Sequence, residues 1–475
     1  MLGWLLGGLW AWTLWLWLGL HPVLHADALW LYDLLQGLGS GHGLGAWDLP
    51  PASSLFPDLL LLWVARLFSP DPQGAQRLYG LMLGLWLWRS LAHLLRELLD
   101  YPKAAARSLA AAGLLTALLL TPPDSGLGDW LLPGHHGAAF VAAVGLWAWA
   151  LRQQRQPAGL IVTLSGAFWA GLLLACDNLF AFWAGLPLLF LLGRLRSGAR
   201  WRVLTGVLVA LLTAWLGHAA LHATGARSAV PKLDRMLLRG WAFWWASLGQ
   251  LPLLLRGLPG LVAAATAGLG LWLWPQAPRH SGPRVLVLGW VVSVLGTLGL
   301  AALLGSLTGR YLYPLLLLPA ALLPALLAER WPALNKAALL APLLAALLWL
   351  GEARAQPAPD PEGPRQAAWL DQALGSRGLQ YGWADYWHAR PLRLFSRQGT
   401  VAAPMDTPSK DQVEPYFWIG DRFLFVRGDA LTRPQFVVLQ GLDADAVRAK
   451  RGQPKEVLQG EGLTVWVYDK HEELR

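Results

Sequence analysis

Acids, imidazoles and one arginine recur in this chain at the ends of long apolar runs, where an ionisable side chain is costly enough to need a reason. Asp27 follows the first run in His25-Ala26-Asp27-Ala28-Leu29-Trp30-Leu31-Tyr32-Asp33, which also holds Asp33. Asp58 stands in Leu55-Phe56-Pro57-Asp58, just before a short apolar stretch. His135 and His136 begin a later run, and Asp177 and Asn178 fill a tight turn in Ala175-Cys176-Asp177-Asn178-Leu179. Arg310 and Tyr311 open Arg310-Tyr311-Leu312-Tyr313-Pro314. A carboxylate can take a proton from a hydroxyl or amine, or give oxygen ligands to a divalent cation such as Mg or Mn. Arginine and histidine can neutralise a phosphate. Such a set suits group transfer away from a phosphate leaving group. Every member also has a plain structural use. Asp58 could cap a helix, Asp33 could be a solvated face residue, and Asp177-Asn178 is ordinary turn chemistry. The histidines could be an interfacial pair, and Arg310 could bind lipid phosphate.

The elements that must position these residues are membrane helices. Of 475 residues, 55% are hydrophobic and only 14% charged, with 30 tryptophans; mean hydropathy is +0.40. Soluble domains carry about 25% charge, so a soluble enzyme is excluded for most of the chain. One cysteine, Cys176, excludes an intramolecular disulfide framework and a cysteine zinc site. The net charge of +9 is uneven: residues 1–351 hold 22 Lys/Arg against 12 Asp/Glu, and residues 352–475 hold 16 against 17. The surplus sits in short loops between apolar runs. That is a signature of membrane orientation, not of a nucleic-acid surface.

Apolar runs at 2–20, 75–95, 104–121, 136–151, 158–175, 179–193, 201–222, 258–275, 285–307, 310–328 and 333–351 predict eleven crossings. The first run has no preceding Lys or Arg and is long for a signal peptide, so it is expected to remain as a helix. Arg89, Arg96, Lys103, Arg107, Arg152, Arg155, Arg194, Arg196, Arg200 and Arg202 mark one side, as do Arg279, Arg284, Arg330 and Lys336. The alternate loops 21–65, 122–134 and 176–178 contain no Lys or Arg. The basic side is expected to be cytoplasmic, which puts every candidate site residue outside. Residues 56–68 are too short to cross and are read as an interfacial helix in a first outer loop, 21–74; residues 237–255 receive the same reading.

A Pro-rich linker at 352–366 leads into a last segment, 367–475, of different character. Ala367–Leu374 reads as a helix, and Arg422–Val426, Gln435–Gln440 and Leu463–Tyr468 read as strands. The expected fold is a polytopic α-helical membrane protein, residues 1–351, with a small extracytoplasmic α/β domain. Trp383, Tyr386, Trp387 and His388 suit sugar stacking, partner contact or core packing.

Asp27 after the first helix, Asp58 before an apolar stretch reaching Trp63, Gln76-Arg77-Leu78-Tyr79 at a second span and the late Arg310-Tyr311-Leu312-Tyr313-Pro314 together resemble the GT-C membrane glycosyltransferases. The nearest likeness is to protein O-mannosyltransferases and lipid A aminoarabinose transferases, over roughly residues 1–350. The chain differs in having Asp27 followed by Ala28 where an acidic pair is usual, and in lacking a Lys-Pro-Pro motif. The resemblance implies transfer of a sugar from a polyprenyl-phosphate donor to a glycan, lipid or protein acceptor at the outer face of a bacterial inner membrane. It implies Asp27 as base, Asp58 as acceptor-orienting group or cation ligand with Asp27, and Arg310, Tyr311, His135, His136, Asp177 and Asp33 around the substrate. Lys232 and Arg235 are further phosphate candidates, and no nucleic acid is expected. An inactive scaffold or a lipid or solute transporter are the competing readings; the second predicts mid-span charges and inverted repeats, and the sequence shows few such charges and no repeat. Membrane-impermeant labelling checks the orientation. Single cysteines at Gly41 and Gly363 should react from outside and one at Gly198 should not; the reverse pattern overturns it.

Overall fold

A computed structural model describes residues 1–99, 102–120, 127–156, 158–185, 197–228, 361–422 and 434–468, together with a few isolated positions between them. The expected spans at 258–275, 285–307, 310–328 and 333–351 lie wholly or almost wholly outside the described residues. So do residues 237–255, Lys232, Arg235, Arg310 and Tyr311.

The chain begins with α1 (Leu2–Leu20), a Leu- and Trp-rich run without a single charge. Its successor α2 (Ala26–Gly39) starts where the His25 side chain accepts the Ala28 N–H. The sequence then turns through β1 (Trp47–Leu49) and a single π turn at Leu55–Leu59 into α3 (Leu60–Phe68). At nine residues α3 reaches about 13 Å, less than half a hydrocarbon core. Its exposed Leu60, Trp63, Leu67 and Phe68 form an apolar stripe suited to an interface. The long helices follow: α4 (Pro72–Leu99), α5 (Lys103–Leu120), α6 (Gly137–Arg155), α7 (Leu160–Cys176) and α8 (Ser197–Ala223). Among the described residues three helices are long and apolar enough to cross a membrane: α1, Pro72–Glu97 of α4 and Arg200–Ala223 of α8.

Contacts at small residues give the helix directions. Gly3 meets Ala104 and Arg107, so α1 and α5 run parallel; Gly7 meets Trp88 and Gly19 meets Arg77, so α1 and α4 run antiparallel. Gly206 meets Thr163, and Gly217 meets Ala175, which makes α7 and α8 parallel. One end of this bundle therefore gathers Lys103, Arg107 and the group His93, Arg89, Arg96 and Arg152. The opposite end carries α2, α3 and the C-terminal unit.

That unit has a six-stranded sheet in the order β5-β4-β3-β7-β9-β8, from β3 (Tyr381–Ala384), β4 (Val401–Ser409), β5 (Gln412–Pro415), β7 (Phe436–Val438), β8 (Glu456–Gly460) and β9 (Leu463–Val467). Helices α9 (Glu362–Gly375) and α10 (Tyr386–Phe395) cover one face through Leu370, Leu374, Leu392 and Phe436. On the other face α11 (Ala444–Arg451) packs through Ala446 and Val447 against Val437 and Trp466. No strand is found at Arg422–Val426 among the described residues: β6 (Gly420–Asp421) ends before it, Arg422 is a turn residue and Leu424 helical, and the other three positions lie outside the described residues.

Two contacts seat this unit on the bundle. In a second sheet β1 pairs with both β6 and β2 (Arg227–Ser228). Beside it, α10 lies on α2. Asp33 is only 3% exposed, so the solvated-face reading is corrected. Its Oδ2 accepts Arg390 Nε at 3.1 Å and also an Arg393 N–H. Arg390 Nη1 donates to the Ala26 carbonyl and Nη2 to that of Ile419, so each nitrogen of the buried guanidinium has a partner. Removing Asp33 would leave the Arg390 charge buried with only neutral partners. Asp33→Ala should thus lower unfolding stability by about 3–5 kcal/mol. Arg365→Ala, at the half-exposed pair with Glu461, should cost under ~1 kcal/mol. Thermal unfolding in detergent reads both; equal effects would refute the docking role of the Asp33–Arg390 pair.

Candidate functional site

The polar groups collect at the end of the bundle beneath the C-terminal unit, in two neighbouring clusters. The first is built on Asp58. Its carboxylate is 3% exposed and does not cap α3. Instead Oδ1 accepts the Tyr79 hydroxyl at 2.8 Å from α4 and the Gly134 N–H at 2.9 Å from the loop before α6. Gly134 has φ +78, and a side chain there would collide with Trp30; glycine lets the backbone turn its N–H onto the acid. Burial pushes the Asp58 carboxyl up to about 6, with nearby Asp177 adding to the rise and the two hydrogen bonds and His136 opposing it.

His136 does not begin α6 as a helical residue; it is the left-handed N-cap, with φ 67. Its Nδ1 lies 2.7 Å from Asp177 Oδ2. An ionised carboxylate only accepts, so Nδ1 carries the proton of this bond. Asp177 Oδ1 accepts the Leu179 N–H at 2.9 Å, so the expected turn chemistry and a link to His136 hold together. Ser54 N–H donates to the Cys176 carbonyl, tying the Asp58 segment to the end of α7. The span expected from residue 179 opens with a π turn at Ala181–Gly185.

The second cluster surrounds Asp27, in the first turn of α2. The Tyr386 hydroxyl donates to Asp27 Oδ1 at 2.6 Å. Burial raises the Tyr386 pKa strongly, and the Asp27 charge adds to the rise, so the phenol keeps its proton and remains a donor. His25, two residues before Asp27, stands 6.0 Å ring to ring from buried His135, and 5.9 Å edge-on from Trp387. His135 Nδ1 lies 3.2 Å from the Pro133 carbonyl. The His25–His135 contact joins the two clusters, since Gly134 and His136 flank His135.

Below them runs an apolar cavity of about 300 Å³ between α4, α6, α7 and α8. Trp86, Trp149, Thr163, Leu173 and Phe180 line it, and Gly145, Gly166 and Gly206 leave its walls open. Its Trp169 stacks on Phe56 at 5.2 Å, two residues from Asp58, and the Phe180 N–H donates to the Asp177 carbonyl. Two of its lining residues, Trp169 and Phe180, thus touch the segments that carry Asp58 and Asp177, although neither acid lines the cavity itself.

Asp58, His136 and Asp177 come together; Asp27 and His135 stand next to them; Asp33 belongs to the docking contact. Arg310 and Tyr311 lie outside the described residues. Among the described residues no three His, Cys, Asp or Glu side chains are grouped to hold a metal ion. The sequence pattern marked neither Arg390 nor Tyr416, and it placed Tyr79 only in a span motif and Tyr386 only in an aromatic group, without their carboxylate partners. A Tyr–Arg pair at i, i+4 on one amphipathic helix was the available signal for α10. No family model, no curated protein and no solved structure matches the chain.

The Asp58 carboxyl titrates near 6 in the folded chain and near 3.8 in the unfolded one. Between those values the folded state holds the extra proton, so stability falls as pH rises through this window. Two units correspond to roughly 3 kcal/mol. Asp58→Asn keeps the accepting oxygen and should flatten the dependence of Tm on pH between 4 and 6.5. An unchanged slope would place the proton elsewhere.

Proposed function

We propose that the protein transfers a sugar from a polyprenyl-phosphate donor to an acceptor at the extracytoplasmic face of a membrane. One observation carries the reading: an apolar cavity lies beside the segments that hold a buried carboxylate and a histidine–aspartate pair, which it touches through Trp169 and Phe180. A hydrocarbon tail in the cavity between α4 and α8 would deliver its phosphate head to His136 and Asp58. Trp169 and Phe180 form the seam between apolar and polar parts. The resemblance of Asp27, Asp58 and the Arg310 motif to GT-C enzymes points the same way.

The reading includes eleven crossings, with the basic loops inside. Support comes from the helix directions, since α1, α5, α7 and α8 all end on the side of the C-terminal unit. In the proposed reaction an acceptor hydroxyl attacks the anomeric carbon, and the bond from that carbon to the phosphate oxygen breaks. The leaving polyprenyl phosphate keeps the bonding electrons, and Asp27 takes the acceptor proton. His136, held by Asp177 through Nδ1, donates from Nε2 to the leaving phosphate in its doubly protonated form; Arg310 would add positive charge, and Asp58 orients the acceptor. A scaffold reading draws on the same interface, because Asp27 and Asp33 both bond across it.

Asp27→Asn separates the two. It retains an acceptor for Tyr386 but no base. Transfer from a radiolabelled polyprenyl-phosphate sugar should fall at least about 10²-fold, while Tm stays within a few degrees of wild type. Intact transfer would remove Asp27 from the chemistry. Loss of Tm with intact turnover would favour the scaffold.

A further inference from the structure

Asp27 faces a set of aromatic rings that the reaction as proposed does not use. Tyr386, bonded to Asp27, packs edge-on against Trp387 at 5.2 Å and against Tyr416 at 5.5 Å. Trp387 stands edge-on to His25, the residue that caps the helix bearing Asp27. Three rings of the C-terminal unit therefore border one carboxylate of the first loop. Burial divides their tasks. Tyr386 is buried and holds Asp27, whereas Trp387 is 51% exposed, and Phe417 and Trp418 beyond Tyr416 are exposed as well. An indole left in water beside a carboxylate, a phenol and an imidazole offers a flat apolar face edged by hydrogen-bonding groups.

That chemistry selects among acceptors. A pyranose presents C–H bonds on one face and hydroxyls around its rim, and it matches an aromatic face flanked by polar groups. A lipid acceptor would call for a continuous apolar wall, and the Asp27 surroundings are studded with polar atoms. An extended peptide would call for an open strand edge; β3 and β4, which lead into and out of α10, are paired on both sides.

We propose that Trp387 and Tyr416, with the Asp27–Tyr386 pair, form the acceptor subsite, and that the acceptor is a saccharide whose ring lies on the Trp387 indole. The reaction in which this subsite serves rests on the glycosyltransferase reading; the binding itself does not. With the ring on Trp387, a hydroxyl at its rim meets Asp27, which is why the C-terminal unit supplies the wall and the first loop the base.

The test is direct binding to the full chain in detergent, by saturation-transfer NMR and calorimetry. The probes are four tetrasaccharides: β1,4-linked N-acetylglucosamine, β1,4-glucose, α1,4-glucose and β1,4-mannose. At least one should bind. Trp387→Ala should weaken it about five- to tenfold, as loss of an aromatic contact predicts. Trp387→Phe should restore most of the affinity, and Trp215→Ala, an exposed tryptophan of α8, should change nothing. Absence of binding by all four, or equal affinity in Trp387→Ala, overturns the subsite. Trp387-dependent binding in a protein that transfers no sugar from polyprenyl phosphate would sink the enzymatic reading and leave the subsite standing. Transfer whose acceptor KM ignores Trp387 would do the reverse.

Discussion

One buried carboxylate clamped by two arginines governs how the halves of this protein meet. Asp33 and Arg390 are 357 positions apart in the chain. A buried aspartate or arginine alone would carry a desolvation penalty of several kcal/mol. Here the charges neutralise each other, and the remaining Arg390 N–H groups find the Ala26 and Ile419 carbonyls. The pairing sets α10 on α2 in one register. Tyr386 precedes Arg390 by four residues and so lies on the same helical face. Asp27, one and two-thirds turns before Asp33, is where its hydroxyl arrives. Docking and site geometry are thus one arrangement seen at two points.

The second sheet guards the same register from another side. Pairing of β1 with β6 and β2 brings together the first loop, the end of α8 and the C-terminal unit. Arg422 donates from its backbone to the Ala46 carbonyl at 2.7 Å, and His42 meets Asp421 at 2.7 Å. Backbone bonds and a histidine–aspartate hydrogen bond resist sliding in different directions, so a rotation of the unit over the bundle would break both contacts.

Within the bundle the constraint is the opposite one, openness. Leucine and tryptophan fill most helix interfaces, yet a cavity remains between α4, α6, α7 and α8, with Gly166 facing open space on its wall. Asp58, two residues from the Phe56 that stacks on the cavity's Trp169, is held against its own burial. Tyr79 and Gly134 supply hydrogen bonds, but its pKa still rises to about 6. A carboxyl that would be more stable protonated is stability given up locally, the usual mark of a group kept for chemistry.

How much of this was legible from residues alone follows from the range of each force. Helix positions come from runs of apolar residues, a local property, and α1, α4, α5, α7 and α8 lie close to the runs read from sequence. The shortness of α3 was visible for the same reason. So was the sheet character of 435–440 and 463–468, where β-branched and aromatic runs lie between Pro434 and Gly441 and between Gly462 and Asp469. Asp58, His136 and Asp177 were singled out because each stands at the end of an apolar run, and those ends meet. The partners of these residues were not legible. Tyr79 looks like any helix aromatic, Arg390 like a surface arginine, and Asp33 like a solvated acid until α10 covers it. Sequence by itself determined which segments leave water and at which ends the polar groups stand, because hydrophobic burial acts on each run separately. Only the tertiary structure decided that Asp27 belongs with Tyr386 and Asp33 with Arg390, because a buried charge takes its partner from whatever the fold brings within about 3 Å, however distant in the chain.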